Sequence, residues 1–236
     1  MRRFFYAPID DYLKALDNCL SPFRVGYLLL IIGAFALAWW IYVPIHELLH
    51  AFGCWGTGGS VTRLEIDAMY GAVWLQRWFP FVAVGSQYAG QLTGFDTHDN
   101  DLIYLATDAA PFVLTILPGV PLLRAAALPR QSKLGACLLL GASMPIAYAP
   151  FISFTGDYYE MGSILVSRAV WLAGDGFDVA RWRSDDVFKL AGSIRTTAGV
   201  GDWMGIAASL VVGAAMAFVT YAAGRWIYKK FGRVKS

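Results

Sequence analysis

A chain of 236 residues that is 57% hydrophobic and only 15% charged, with a mean hydropathy of +0.50, is too apolar for a soluble domain of that length. Its net charge of +2, with Lys and Arg gathered near the chain ends, excludes the basic stripe of a nucleic-acid-binding protein. Its three scattered cysteines (Cys19, Cys54, Cys137) exclude a disulfide framework. The expectation is an all-α integral membrane protein, one membrane-embedded domain over residues 1–236, with about four transmembrane helices.

Residues 1–24 set Arg2, Arg3, Lys14 and Arg24 among Phe4, Phe5, Tyr6, Tyr12, Leu13, Leu16 and Leu20. That mixture suits an amphipathic helix on the membrane surface, and its basic residues favour the cytoplasmic side. No small-residue cleavage site follows, so the segment reads as an uncleaved anchor. The first span begins near Phe23, and Trp39, Trp40 and Tyr42 mark its exit at the headgroup level.

Directly after them comes Val43-Pro44-Ile45-His46-Glu47-Leu48-Leu49-His50-Ala51. Positions i and i+4 of a helix lie one above the other, so His46 and His50 can share a metal ion. Glu47 falls where its carboxylate can hold a water at that metal, the H-E-x-x-H arrangement of zinc hydrolases. The chain has only three histidines, and two of them stand at this spacing. Pro44 lacks a backbone N–H and frees a carbonyl in the preceding turn, which calls for water or a side chain nearby. Cys54, one turn beyond His50, is expected to be a small packing residue.

Residues 56–86 change character. Gly56, Gly58 and Gly59 break the helix, Thr62 to Asp67 alternates polar and apolar residues, and Tyr70-Gly71 precedes Ala72-Val73-Trp74-Leu75. This pattern predicts a short membrane-associated β-hairpin, followed by an aromatic interfacial segment around Trp78, Phe79 and Phe81. Gln87 to Asn100 reads as a polar loop in which His98, among Asp96, Asp99 and Asp101, is solvated.

The second span, about Leu102 to Leu123, carries Thr107 and Asp108 and is interrupted by Pro111, Pro118 and Pro121. A carboxylate inside a span marks Asp108 as a possible intramembrane polar site, a structural hydrogen-bonded role being the alternative. A basic loop (Arg124, Arg130, Lys133) leads to a third span, about Leu134 to Phe151. Asp157 and Glu160 then stand three apart at a helix start, as a pair of ligands or as a capping box. Residues 175–199 form a surface amphipathic segment. Met204 to Tyr221 is the last span, and the basic residues after it (Arg225, Lys229, Lys230, Arg233, Lys235) predict a cytoplasmic tail.

Three of these stretches together resemble the site-2 protease family of intramembrane zinc metalloproteases. They are His46-Glu47-Leu48-Leu49-His50-Ala51 with its Gly-rich sequel, Ala110-Pro111-Phe112, and Glu160-Met161-Gly162-Ser163-Ile164-Leu165, which is similar to the family's Asp-Gly-Gly-Arg-Ile-Leu. The resemblance implies a Zn2+ held by His46, His50 and a carboxylate from Asp157 or Glu160, with Glu47 as general base. It also implies a membrane-protein substrate, unwound against a strand edge and cleaved within a bacterial-type inner or plasma membrane. Two other readings stand beside it: a metallohydrolase acting on lipid or lipidated substrates, and a non-enzymatic membrane scaffold that keeps a metal site.

Overall fold

The structure, a computed structural model, describes residues 2–173 and 178–231. The predicted tail residues Arg233 and Lys235 and the start of the 175–199 segment lie outside the described residues. A helical turn, α1 (Arg2–Phe5), precedes α2 (Ala7–Leu20) and the long α3 (Val25–Gly56). Next come β1 (Ser60–Ile66), α4 (Ala72–Leu75), β2 (Val82–Val84) and β3 (Gly90–Asp96). Then α5 (Asp101–Ala109) runs through a 3-10 and a π turn into α6 (Val120–Ala126). The remainder is α7 (Lys133–Ala147), α8 (Ala149–Ile152), α9 (Asp157–Ala173), α10 (Val187–Ile194) and α11 (Val200–Phe231).

The chain is mostly helical, and among the described residues three stretches are long and apolar enough to cross a membrane: Val25–Gly56, Asp101–Ala126 and Val200–Phe231. The predicted third span, about Leu134 to Phe151, is divided between α7 and α8: α7 by itself extends about 22 Å at 1.5 Å per residue, short of the roughly 30 Å of a bilayer core, and α8 carries the chain on towards α9. α7 packs against α3: Cys137 and Leu140 are fully buried in a cluster with Ile31, Leu123 and Tyr221.

The sheet departs from the predicted hairpin. Leu64 and Ile66 are buried and Arg63 points outward, so β1 alternates as expected. Its proposed partner, Ala72-Val73-Trp74-Leu75, is the helical turn α4. Asp67 caps a 3-10 turn by accepting from the Met69 amide, and Gly71 takes the left-handed conformation (φ 78°), which turns the chain straight into a helix. Ala72 and Leu75, three apart, then bury one face while Val73 and Trp74 stay exposed. A four-residue apolar run carries no period of its own, so this choice falls to tertiary packing. The sheet has the order β2-β1-β3, β2 parallel and β3 antiparallel to β1. β3 lies within the stretch expected to be a loop. The sheet rests on the motif helix through Leu48, which packs with Leu64, Ile66 and Leu75.

Proline shapes the helical layer. Pro150 has no N–H for the carbonyl of Ile146, and the Thr115 hydroxyl donates to that carbonyl at 2.7 Å. A side chain from a neighbouring element thus satisfies a backbone group that would otherwise be stranded, as an apolar surrounding demands. α9 and α11 meet through small residues: Gly162 lies against the backbone of Ser209, and Gly213 against that of Tyr158. This contact sets the position of the start of α9.

Candidate metal centre

His46 and His50 project from the same face of α3, 8% and 7% exposed, with their Nε2 atoms 3.2 Å apart. Asp157, the first residue of α9, brings Oδ2 to 3.4 Å from His46 Nε2 and 3.9 Å from His50 Nε2. Metal–ligand bonds of about 2.0–2.1 Å at tetrahedral angles place ligand atoms roughly 3.3–3.4 Å apart. The 3.2 and 3.4 Å spacings match two edges of such a tetrahedron, and the third, His50 to Asp157 at 3.9 Å, is longer than the edge it would form.

The protonation pattern points the same way. His50 Nδ1 lies 2.9 Å from the Thr107 carbonyl, which can only accept, so Nδ1 carries the proton and Nε2 presents a lone pair. The Tyr42 hydroxyl lies 2.7 Å from Nδ1 of His46 and fixes that ring one turn earlier on the same helix. Lone pairs and a carboxylate oxygen packed this closely repel one another unless a cation or proton stands between them. A metal ion fits the donor set, and the hydrogen bonds on the far ring nitrogens are those that orient metal-binding imidazoles.

No family model matches the chain, and no curated protein or solved structure matches it.

The availability of the Thr107 carbonyl follows from the sequence. Its helical donor would be the amide of residue 111, which is Pro111 and has none. Gly53 permits the close approach: a Cβ there would stand 2.5 Å from that of Ala110 and 3.0 Å from the Ala106 carbonyl. Pro111→Ala should give the Thr107 carbonyl a second donor and loosen His50. We expect zinc affinity, measured by competition with a chromogenic chelator, to fall by up to about tenfold with the fold intact. Unchanged affinity would mean that the carbonyl serves both donors.

The two acidic residues of α9 separate. Asp157 Oδ2 accepts from the Ser153 hydroxyl at 2.7 Å, which holds the carboxylate toward the histidines. Glu160 is outside this group of three and accepts from the Tyr104 hydroxyl on α5. Among the described residues both carboxylates accept from side-chain hydroxyls, Asp157 from Ser153 and Glu160 from Tyr104. Burial pushes the Glu160 carboxyl up, and against the pull of the Tyr104 hydrogen bond, with the Asp157 carboxylate adding to the rise, it comes to about 7.

Glu47, Asp108, Glu160 and Asp157 line one cavity of about 520 Å³ together with Gly90, Gln91 and Leu92 of β3. Gly90 sits directly against the Glu47 side chain, in space that any larger residue would fill. Asp108 is 5% exposed, and its Oδ2 has no hydrogen-bond partner among the described residues. His98 stays at the surface, 3.2 Å from Asp96, and Cys54 is a buried packing residue, both as expected. Tyr42, Thr107, Ser153 and Tyr104 also belong to the site. Four-residue steps from Tyr42 to His46, Ser153 to Asp157 and Thr107 to Pro111 signal the first three in the sequence, whereas Tyr104 meets Glu160 only through the fold.

Proposed function

We propose that this protein is a zinc-dependent intramembrane endopeptidase, similar to the site-2 proteases, acting on membrane-spanning substrates. The observation that carries the reading is the convergence of His46, His50 and Asp157 beside Glu47 at a cavity walled by an edge strand. A Zn2+ held by His46, His50 and Asp157 would supply Lewis acidity, easing deprotonation of a water and polarising a carbonyl. Glu47 takes the proton as the water oxygen bonds to the scissile carbon. It delivers that proton to the leaving nitrogen as the C–N bond breaks. The outer edge of β3, which among the described residues has no strand beyond it, is suited to hold an unwound peptide by backbone hydrogen bonds. Asp108 Oδ2 and Glu160 offer further polar contacts within the cavity.

The test is cleavage of single-span peptides in mixed micelles by detergent-purified, zinc-loaded protein, read by mass spectrometry. Peptide products that depend on Glu47 are expected. Release of fatty acid or headgroup from the micelle lipid, with every peptide intact, would favour the lipid hydrolase. Zinc without any turnover would favour the scaffold.

The proposed orientation puts both termini on the cytoplasmic side. Asp11 of α2 pairs with Arg225 near the end of α11 at 3.1 Å, so the two ends of the described chain share one end of the bundle. His46 stands about 30 Å along α3 from Val25, toward the opposite end. The native cysteines are buried, so His98→Cys introduces one exposed thiol. An impermeant maleimide should label it in intact cells, and protection until the cells are lysed would reverse the orientation.

A further inference from the structure

A second cavity, also about 520 Å³, opens between α6 and α11 at the end of the bundle away from the metal centre, lined by Arg124, Arg225 and Lys229 with Phe218, Trp226 and Tyr228. Its charges do not balance within the protein. Asp11, 4% exposed, accepts from Arg124 Nη1 at 2.8 and 3.1 Å and from the Tyr221 hydroxyl at 3.2 Å, and it pairs with Arg225 Nε at 3.1 Å. Two guanidinium groups thus share one carboxylate. Lys229 adds a third cation and takes part in none of the ion pairs among the described residues. The surplus is two positive charges.

Donors are left over as well. Arg124 Nε is buried and has no hydrogen-bond partner among the described residues, and the guanidinium lies over the Tyr228 ring at 5.1 Å. Arg225 meets Asp11 through Nε.

Position decides what can supply the missing negative charge. Arg124 is in the last turn of α6, where one candidate span ends, and Lys229 is in the last turn of α11, where another ends. Span ends of this kind lie at the depth of lipid headgroups, and the exposed Trp226 is the residue type found there. Below it, α11 presents Val219 and Val211 outward, an apolar surface for an acyl chain. We infer that this cavity binds the phosphate of an anionic phospholipid, with Arg124, Arg225 and Lys229 as its donors. The headgroup then ties α2, α6 and α11 together at the end of the bundle opposite the metal centre.

The experiment uses the full chain in a neutral detergent, titrated separately with phosphatidylglycerol, phosphatidylcholine and inorganic phosphate. Native mass spectrometry reads retention and a thermal scan reads stability. Phosphatidylglycerol should be retained and should raise Tm, whereas phosphatidylcholine and inorganic phosphate should do neither. Arg225→Gln and Lys229→Gln should each weaken retention about fivefold, the worth of one basic residue at a charged headgroup layer. Should Arg225→Gln fail to fold because Asp11 loses a partner, Lys229→Gln decides alone. Equal retention of the two lipids, or undiminished retention by Lys229→Gln, overturns the inference. An equal shift by inorganic phosphate also overturns it, assigning the cavity to a free anion.

Discussion

Asp157→Ala is expected to strip the metal from the protein, and Glu160→Ala is expected to leave it bound. The residue register of the resemblance favours Glu160, because the Gly-Ser-Ile-Leu that follows it echoes the family's tail. The geometry favours Asp157, which meets both imidazoles while Glu160 accepts from Tyr104. Structural zinc sites bind with about 10–16 kcal/mol shared among four protein ligands, so one ligand is worth roughly 3 kcal/mol, on the order of a hundredfold in affinity. His46→Ala and His50→Ala should match that loss. Glu160→Ala should instead cost about 1–3 kcal/mol of stability, the penalty for a buried Tyr104 hydroxyl left without its acceptor. Elemental analysis of the purified variants, alongside a thermal scan, separates the two effects. Zinc retained by Asp157→Ala and lost from Glu160→Ala would invert the assignment and return the third ligand to the register of the resemblance.

Replacing Glu47 by Gln should leave zinc content at the parent level while peptide cleavage falls by on the order of a hundredfold or more, the usual share of a general base. The amide keeps the shape that fits against Gly90 but can neither take a proton from water nor hand one to the leaving nitrogen. The zinc measurement makes the result specific: an equal fall in metal and activity would recast Glu47 as a ligand or a packing residue. Full activity with zinc bound would remove it from the chemistry altogether.

Much of the site is legible because it obeys a local rule. The four-residue step from His46 to His50 is a property of one helix, and nothing in the rest of the chain can change which face the two rings share. Composition is equally local in its consequence, since a run such as Tyr27 to Val43 has no stable place except in hydrocarbon or a large core. The alternation that makes β1 a strand is of the same kind. Where the local signal is ambiguous, the reading fails for a physical reason. Ala72 to Leu75 has no period, and a capped turn with a left-handed Gly71 sends it into a helix. The predicted third span is not one unbroken helix, because Tyr148, two residues before Pro150, divides it between α7 and α8.

By itself, then, the sequence determined a membrane-type chain, a helix bearing His46, Glu47 and His50 on a metal-binding pattern, and a list of carboxylates from which a third ligand could come. Only the tertiary structure grouped Asp157, and not Asp108 or Glu160, with the two histidines, because that grouping depends on where α9 starts relative to α3, and small-residue packing between α9 and α11 sets it. Tertiary structure also decided the partners that orient the rings. Pro111 advertises a free carbonyl at Thr107 to anyone reading the sequence, but which side chain takes it depends on how closely α3 can approach α5. Periodicity reaches along one element. Ligand sets and hydrogen bonds join elements far apart in the chain, and packing alone brings them within 3–4 Å.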